Sequence, residues 1–176
     1  NHTISSGIHL THKINELPLN EMIITAVPSQ NLRNSISKIP ISSKDVLFVN
    51  ASKGIEVSSL MRMSEVINDV TGLPFSNIIS LHGPSHAEEV IQKLPTTVVS
   101  ACVNIHNARI IQKVFSNEYF RIYSNIDIIG VEMGGAVKNV IAIAAGICTG
   151  IGYGDNTLSA LITRGLAEIQ RLGVAL

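Results

Sequence analysis

Short apolar runs that end abruptly in polar turns constrain this chain more than any other feature. Met22–Val27 (MIITAV) stops at Pro28-Ser29, Val46–Ala51 (VLFVNA) at Ser52-Lys53-Gly54, and Asn77–Leu81 (NIISL) at His82-Gly83-Pro84-Ser85. Thr97–Cys102 (TVVSAC) and the shorter Phe120–Tyr123 (FRIY) complete the set. Runs of this length without polar alternation predict strands covered on both faces. Between them apolar residues recur at helical spacing: Leu32, Ile36 and Ile39 up to Pro40, then Leu60, Met61, Met63, Val66, Ile67 and Val70, then a helix over about Asn107 to Val114. Strands alternating with helices predict an α/β fold built on a largely parallel sheet with flanking helices.

From Ser124 onwards the pattern is helical only, which places a domain boundary near Asn125 and divides residues 1–124 from the start of an all-α part at 125–176. Asp155 or Asn156 is expected to cap the last helix, whose face is Leu158, Leu161, Ile162, Leu166, Ile169 and Leu172, with Gly173 at a break or C-terminus. Residues 1–20 read as loop with one short strand around Ile8 to Lys13.

The stretch Val131 to Asn156 combines close packing with an isolated charge. From Met133 to Cys148 nearly every residue is apolar or glycine, and the exceptions are the adjacent Lys138 and Asn139. On a helix Lys138 shares a face with Gly134, Ala142, Ala145 and Gly146, small residues that leave room for a ligand or another backbone. A desolvated lysine there has a lowered pKa and becomes a candidate acid or base. A lysine snorkelling from the edge of an ordinary core helix fits the spacing equally well. The run is apolar enough to suggest a membrane span, yet it holds Lys138, Asn139 and several glycines between Glu132 and Asp155, so a buried helix is expected.

Thirteen basic residues balance thirteen acidic ones without a Lys/Arg-rich run, which removes the electrostatic footprint of a nucleic-acid or anionic-membrane partner. With 45% hydrophobic and 15% charged residues the chain predicts a packed core. Two cysteines, Cys102 and Cys148, supply no disulfide framework, so a reducing intracellular compartment is expected. His9 and His12 lack further ligands at suitable spacing, and a Gly-Pro turn separates His82 from His86, so no metal is expected.

In open parallel sheets ligands sit outside the carboxyl ends of the strands, so the exits at Pro28-Ser29, Lys53-Gly54 and Gly83-Ser85 should line one cleft. Ser85-His86-Ala87-Glu88 has the spacing of a capping box, and from spacing alone Ser85 is a helix cap. Lys53 by the same standard is a solvated loop lysine beside a glycine that permits a sharp turn.

VEMGGAVKN, GYGDN and LITRGLAE follow one another in this order, preceded by AVPSQ, ASKGIE and GPSHAEE. Together they resemble the bacterial type of NAD(P)-dependent glycerol-3-phosphate dehydrogenase, across essentially all 176 residues. The resemblance covers the middle of such an enzyme. The GxGxxG turn is expected upstream of Asn1 and a Gly-Arg-Asn-like segment downstream of Leu176, so these residues alone are not expected to turn over. The resemblance implies a partial Rossmann-like dinucleotide-binding domain over 1–124 and the start of a helical substrate-binding domain over 125–176. It implies hydride transfer between NAD or NADP and dihydroxyacetone phosphate, giving sn-glycerol 3-phosphate for glycerophospholipid synthesis, in a cytoplasmic enzyme that forms a homodimer.

By the same resemblance Lys138 is the catalytic acid or base; Lys53, Gly83, Ser85 and Asn139 bind substrate; Pro28, Ser29, Lys53 and Ala87 lie along the cofactor. His86 departs from the family pattern, where an aromatic residue is usual, and this bears on packing beside the cofactor. Glu132, Asp155 and Arg164 read as structural, the last paired with Glu168 four residues on. Two other readings stand beside this one. Another dehydrogenase of sugar-acid or hydroxyacid type fits the architecture, although several of those separate the catalytic lysine from its asparagine. A non-catalytic fragment fits the absence of the cofactor turn.

Overall fold

The computed structural model describes residues 4–17, 22–41 and 43–176. Five strands, β1 Met22–Thr25, β2 Leu47–Asn50, β3 Ile78–His82, β4 Thr96–Ala101 and β5 Phe120–Asn125, lie side by side in chain order. β1, β2 and β3 are parallel, β4 and β5 are parallel, and the two sets meet antiparallel through Ser80 opposite Ala101 and His82 opposite Val99. The sheet is therefore largely parallel, as expected, with one reversal that has no local sequence signature. The carboxyl ends of β1 to β3 consequently share an edge with the amino ends of β4 and β5.

The unbroken apolar runs follow from burial on both faces. Phe48 and Ile78 point into a core with Leu32 and Ile36 of α1 (Leu32–Ile36) and Met63, Val66 and Ile67 of α2 (Met63–Thr71). Their sequence neighbours Val49 and Ile79 point the other way, against Ala108 and Ile111 of α4 (Ile105–Phe115) and Cys102. Successive side chains in a strand alternate faces, so two covered faces require apolar residues at every position. The short α3 (Ala87–Ile91) follows β3. The chain ends in two long helices, α5 (Ile128–Gly150) and α6 (Asp155–Ala175), packed on each other. Gly165 of α6 sits so close to α5 that a Cβ there would lie 2.6 Å from Ile141 Cδ1.

Several local expectations are corrected. No strand forms over Ile8 to Lys13; a 3-10 turn at Ile14–Glu16 is the element there, and residues 1–3 and 18–20 of the expected loop lie outside the described residues. Leu60 and Met61 precede α2 rather than belonging to it, because Leu60 adopts φ 61° with an exposed side chain in an irregular crossing after β2. Gly154 takes the N-cap position of α6, with Asp155 its first residue, and the helix runs through Gly173, which packs 3.5 Å from Gly130 Cα when given a Cβ. The Arg164–Glu168 pair forms as expected, at 2.9 Å.

Among the described residues most of α5 is left uncovered, where a buried helix was expected. Ile128, Glu132 and Met133 are buried, whereas Val140, Ile143 and Ile147 are exposed, and the helix is long and apolar enough to cross a membrane by length and composition. Its first third is nevertheless fixed to the sheet by a buried carboxylate. Glu132 accepts hydrogen bonds from Ser64 N at 2.9 Å, Ser64 Oγ at 2.6 Å and Ser80 Oγ at 2.8 Å, and pairs with Arg62 at 2.9 Å. The backbone donor stands in the first turn of α2, where the helix dipole favours negative charge.

Candidate active site

The sheet reversal places the exits of β1, β2 and β3 on one edge, and α5 runs along β3 toward that edge. Glu132 meets Ser80 within β3, Val131 meets His82 at its last residue, and Lys138 borders a cleft beyond it. This cleft, of about 310 Å³, is lined by Lys53, Gly83, Pro84, Ser85, Glu89 and Lys138, with His86 at its side. Four of the predicted site residues therefore converge. Asn139 reaches the site indirectly, its Oδ1 accepting a 2.8 Å hydrogen bond from Lys138 Nζ. Pro28 and Ser29 do not line the cleft; Ser29 Oγ lies against Gly54, where a Cβ would stand 2.8 Å away. Gly54 has φ 135°, a conformation in which a side chain is strained, so the Lys53 turn requires glycine.

The chemistry of the two lysines is the reverse of the sequence expectation. Lys138 is exposed, and its neighbours Gly134 and Gly146 face open space. The small residues of α5 mark room beside the helix instead of a tight burial of the ammonium. Lys53 is the half-buried one: desolvation first, and repulsion from Lys138 second, hold its ammonium below the ordinary lysine range. Among the described residues no carboxylate forms an ion pair with either lysine.

Ser85 is likewise not a helix cap. α3 begins at Ala87 with His86 in the cap position and no side-chain cap bond, while His86 Nδ1 pairs with Glu88 at 2.9 Å. The Ser85 hydroxyl, one residue further out, accepts a 3.2 Å hydrogen bond from Lys53 Nζ. Gly83 is required by packing: a Cβ there would stand 2.6 Å from the Thr97 carbonyl oxygen and 2.7 Å from Val98 Cα, backbone atoms that cannot give way. Ala87 lines an adjoining, mostly apolar cleft of about 430 Å³ with Ala51, Leu81, Ser85 and Val98. A larger cleft of about 530 Å³, at the start of β4 and β5, is lined by Val90, Leu94, Phe115 and Phe120 together with Lys93, Asn117, Glu118 and Tyr119; it holds none of the predicted site residues, and its Lys93 ammonium lies over the Tyr119 ring at 5.8 Å.

The residue that sequence reasoning missed is His82, set aside there as a metal ligand. It is buried, with Nε2 3.1 Å from the Ser52 carbonyl oxygen and Nδ1 3.4 Å from that of Val131. A histidine closing a strand that is apolar except for Ser80 was the available signal. Among the described residues no three His, Cys, Asp or Glu side chains gather as a metal site would need.

The family model described as NAD-dependent glycerol-3-phosphate dehydrogenase N-terminus matches residues 1–108, and that described as its C-terminus matches residues 127–176. The chain belongs to the NAD-dependent glycerol-3-phosphate dehydrogenase family. A glycerol-3-phosphate dehydrogenase [NAD(P)+] from Lysinibacillus sphaericus is 50% identical over 97% of this chain and 52% of its own length. The crystal structure of a glycerol-3-phosphate dehydrogenase from Coxiella burnetii matches with a TM-score of 0.74 at 35% identity, covering 88% of this chain and 46% of that one. The structure of a glycerol-3-phosphate dehydrogenase from Saccharomyces cerevisiae matches with a TM-score of 0.78 at 25% identity, covering 91% and 48%. The chain thus spans about half the length of the dehydrogenases it matches, and the partial Rossmann-like sheet with its helical continuation is the family fold.

Proposed function

We propose that the complete protein is a glycerol-3-phosphate dehydrogenase, transferring a hydride between NAD(P)H and the carbonyl of dihydroxyacetone phosphate to give sn-glycerol 3-phosphate. The observation that carries this reading is the convergence of Lys53 and Lys138 on one cleft, with no ion-pair partner for either among the described residues. Two ammonium groups lining one cleft, with Lys138 repelling Lys53, suit a ligand with negative charge, whose arrival offsets that repulsion and shifts the Lys53 pKa back toward its ordinary range. In the proposal Lys53 holds the phosphorylated substrate with Ser85 and the Gly83 backbone beside it. Lys138 stabilises the alkoxide that develops on the carbonyl oxygen and delivers its proton, and in the oxidative direction neutral Lys138 accepts that proton. Asn139, already bonded to Lys138, orients the ammonium.

The residues present fit one end of a nicotinamide dinucleotide. The apolar cleft at Ala51, Leu81 and Ala87 adjoins the cation-lined cleft through Ser85, so a flat apolar ring and a polar substrate have neighbouring places. Ala87 and Lys53 would touch the cofactor there, with Pro28 and Ser29 flanking it at the β1 exit; bound NAD or NADP supplies the hydride. We assign the dinucleotide-binding unit to residues 1–124 and the start of the substrate-binding helical unit to residues 125–176. We place the enzyme in the cytoplasm, serving glycerophospholipid synthesis, as a homodimer without a membrane span. The anchoring of α5 through Glu132 to Ser64, Ser80 and Arg62 supports the last point, because a spanning helix would not spend its first turns in a sheet domain. Light scattering on the complete protein reads the oligomeric state.

The test is the loss of nicotinamide absorbance when dihydroxyacetone phosphate is added to the complete protein with NADH or NADPH. Turnover is expected. Absence of turnover with both nicotinamides, together with turnover of a sugar acid or hydroxyacid, would replace this reading with the other dehydrogenase class.

A further inference from the structure

We propose that His82 is a positioning residue that holds the Lys53 turn and the Lys138 helix in fixed relation across the cleft. Its ring stands between two elements that each carry a lysine. On one side Nε2 is 3.1 Å from the carbonyl oxygen of Ser52, the residue before Lys53. On the other, Nδ1 is 3.4 Å from the carbonyl oxygen of Val131, and Gly135 lets α5 approach the ring, since a Cβ on Gly135 would stand 2.7 Å from Nδ1. Val131 and Gly135 occupy the two turns of α5 that lead to Lys138. The residue after His82 is Gly83, so the third exit starts from the same anchor.

The contact is one link of a longer chain of hydrogen bonds. Ser52 Oγ donates to the Val27 carbonyl at 2.6 Å and accepts from Val27 N at 3.2 Å, and Asn50 Nδ2 donates to the Ser52 carbonyl at 2.8 Å. The exits of β1, β2 and β3 are thereby tied in series by hydrogen bonds, and the imidazole extends that series to α5 by packing against Val131 and Gly135. Burial holds the imidazole pKa below its ordinary value against the opposing pull of Glu132, so the ring is neutral at neutral pH. A neutral imidazole donates through one nitrogen only. The shorter contact assigns that proton to Nε2, directed at Ser52, while Nδ1 packs against α5.

The consequence for Lys53 is physical rather than chemical. Its ammonium stays half-buried because the backbone of Ser52 is pinned, and without the ring the turn relaxes and the ammonium moves into water. Two substitutions separate these roles: His82→Leu removes the donor, and His82→Gln supplies a terminal amide of similar reach that donates to the Ser52 carbonyl. The readout is the titration of Lys53 in the complete protein, followed by pH-dependent amine labelling and peptide mass spectrometry, alongside kcat and KM. Calling kcat a readout rests on the proposed dehydrogenase reaction, whereas the Lys53 titration does not.

In His82→Leu the Lys53 pKa is expected to rise toward the ordinary lysine value and kcat to fall about tenfold or more, with KM for the nicotinamide changed by less than about twofold. His82→Gln should keep the Lys53 titration and kcat close to the wild type. An unchanged Lys53 titration in His82→Leu overturns the proposal, and so does a Lys53 shift in a folded His82→Gln. Should His82→Leu fail to fold, the His82→Gln titration decides alone. If the wild type itself does not reduce dihydroxyacetone phosphate, the functional reading falls while the Lys53 titration still decides the role of His82.

Discussion

The ammonium of Lys53 lies 3.2 Å from the hydroxyl oxygen of Ser85, across the gap between the second and third strand exits. Its pKa is depressed, by burial first and by Lys138 second. The folded chain therefore binds fewer protons than the unfolded chain between the folded pKa and the unfolded value of about 10.4. Stability contributed by this group rises as pH climbs through that window and is at its lowest below it. Lys53→Met in the complete enzyme should keep or raise Tm at pH 7, and its advantage over the wild type should shrink as pH approaches 10. The same substitution should lower kcat/KM for the phosphorylated substrate by about ten- to a hundredfold, the worth of a charge-assisted hydrogen bond. Ser85→Ala should lower it less. Differential scanning calorimetry across pH and steady-state kinetics read the two halves; an unchanged kcat/KM in Lys53→Met would leave Lys53 a half-buried lysine with no part in holding substrate.

Lys138→Met keeps the length of the side chain and deletes its charge. Because Lys138 is exposed, the fold should tolerate the change with Tm shifted by no more than a degree or so, on the order expected for surface substitutions. The kcat of the complete enzyme should fall at least about a hundredfold with cofactor binding retained, since general acid catalysis is worth on the order of 10² to 10⁴. A near-normal kcat would remove Lys138 from the mechanism.

Glu132 makes the opposite prediction. It touches no part of the cleft, yet Ser64, Ser80 and Arg62 all converge on it in a buried position. Glu132→Ala leaves these donors without their acceptor and should cost about 3–5 kcal/mol of stability, measured by denaturant unfolding. A cost below 1 kcal/mol, within the range of an exposed pair, would show that α5 is held chiefly by apolar packing.

Gly83→Ala tests whether that position serves packing or ligand approach. The added methyl meets the backbone of Thr97 and Val98, so β3 and β4 must separate. A stability loss of about 1–3 kcal/mol is expected, with KM for dihydroxyacetone phosphate raised because the Ser85 turn moves with the strand. Wild-type stability with a raised KM would instead assign Gly83 to the ligand alone.

Much of this architecture was legible because each strand is covered twice. Phe48 with Val49, and Ile78 with Ile79, are neighbours that face opposite cores, and the chain must be apolar at both. The antiparallel meeting of β3 and β4 left no trace, since strand direction is set by connections and twist and not by the residues at Ser80 or Ala101. Ser85 misled because a Ser-x-x-Glu spacing is satisfied as well by a serine that stands one residue outside the helix and turns to a lysine. Lys138 misled in degree: small neighbours on its face signal space, and space beside a helix is filled by protein or left open to a ligand with the same pattern. His82 was overlooked since its importance lies in two carbonyl oxygens, Ser52 and Val131, that no side-chain motif reports.

The interval from Glu132 to Lys138 works as a gauge. Six residues advance a helix by about 9 Å and turn it through about 600°, so the two side chains leave α5 about 120° apart in azimuth. One is sent down into the sheet and the other over its edge. A residue gained or lost within that interval would swing the lysine by about 100° while leaving the carboxylate seated. The spacing between these two positions, and not the composition of the outer face, therefore sets where the lysine points.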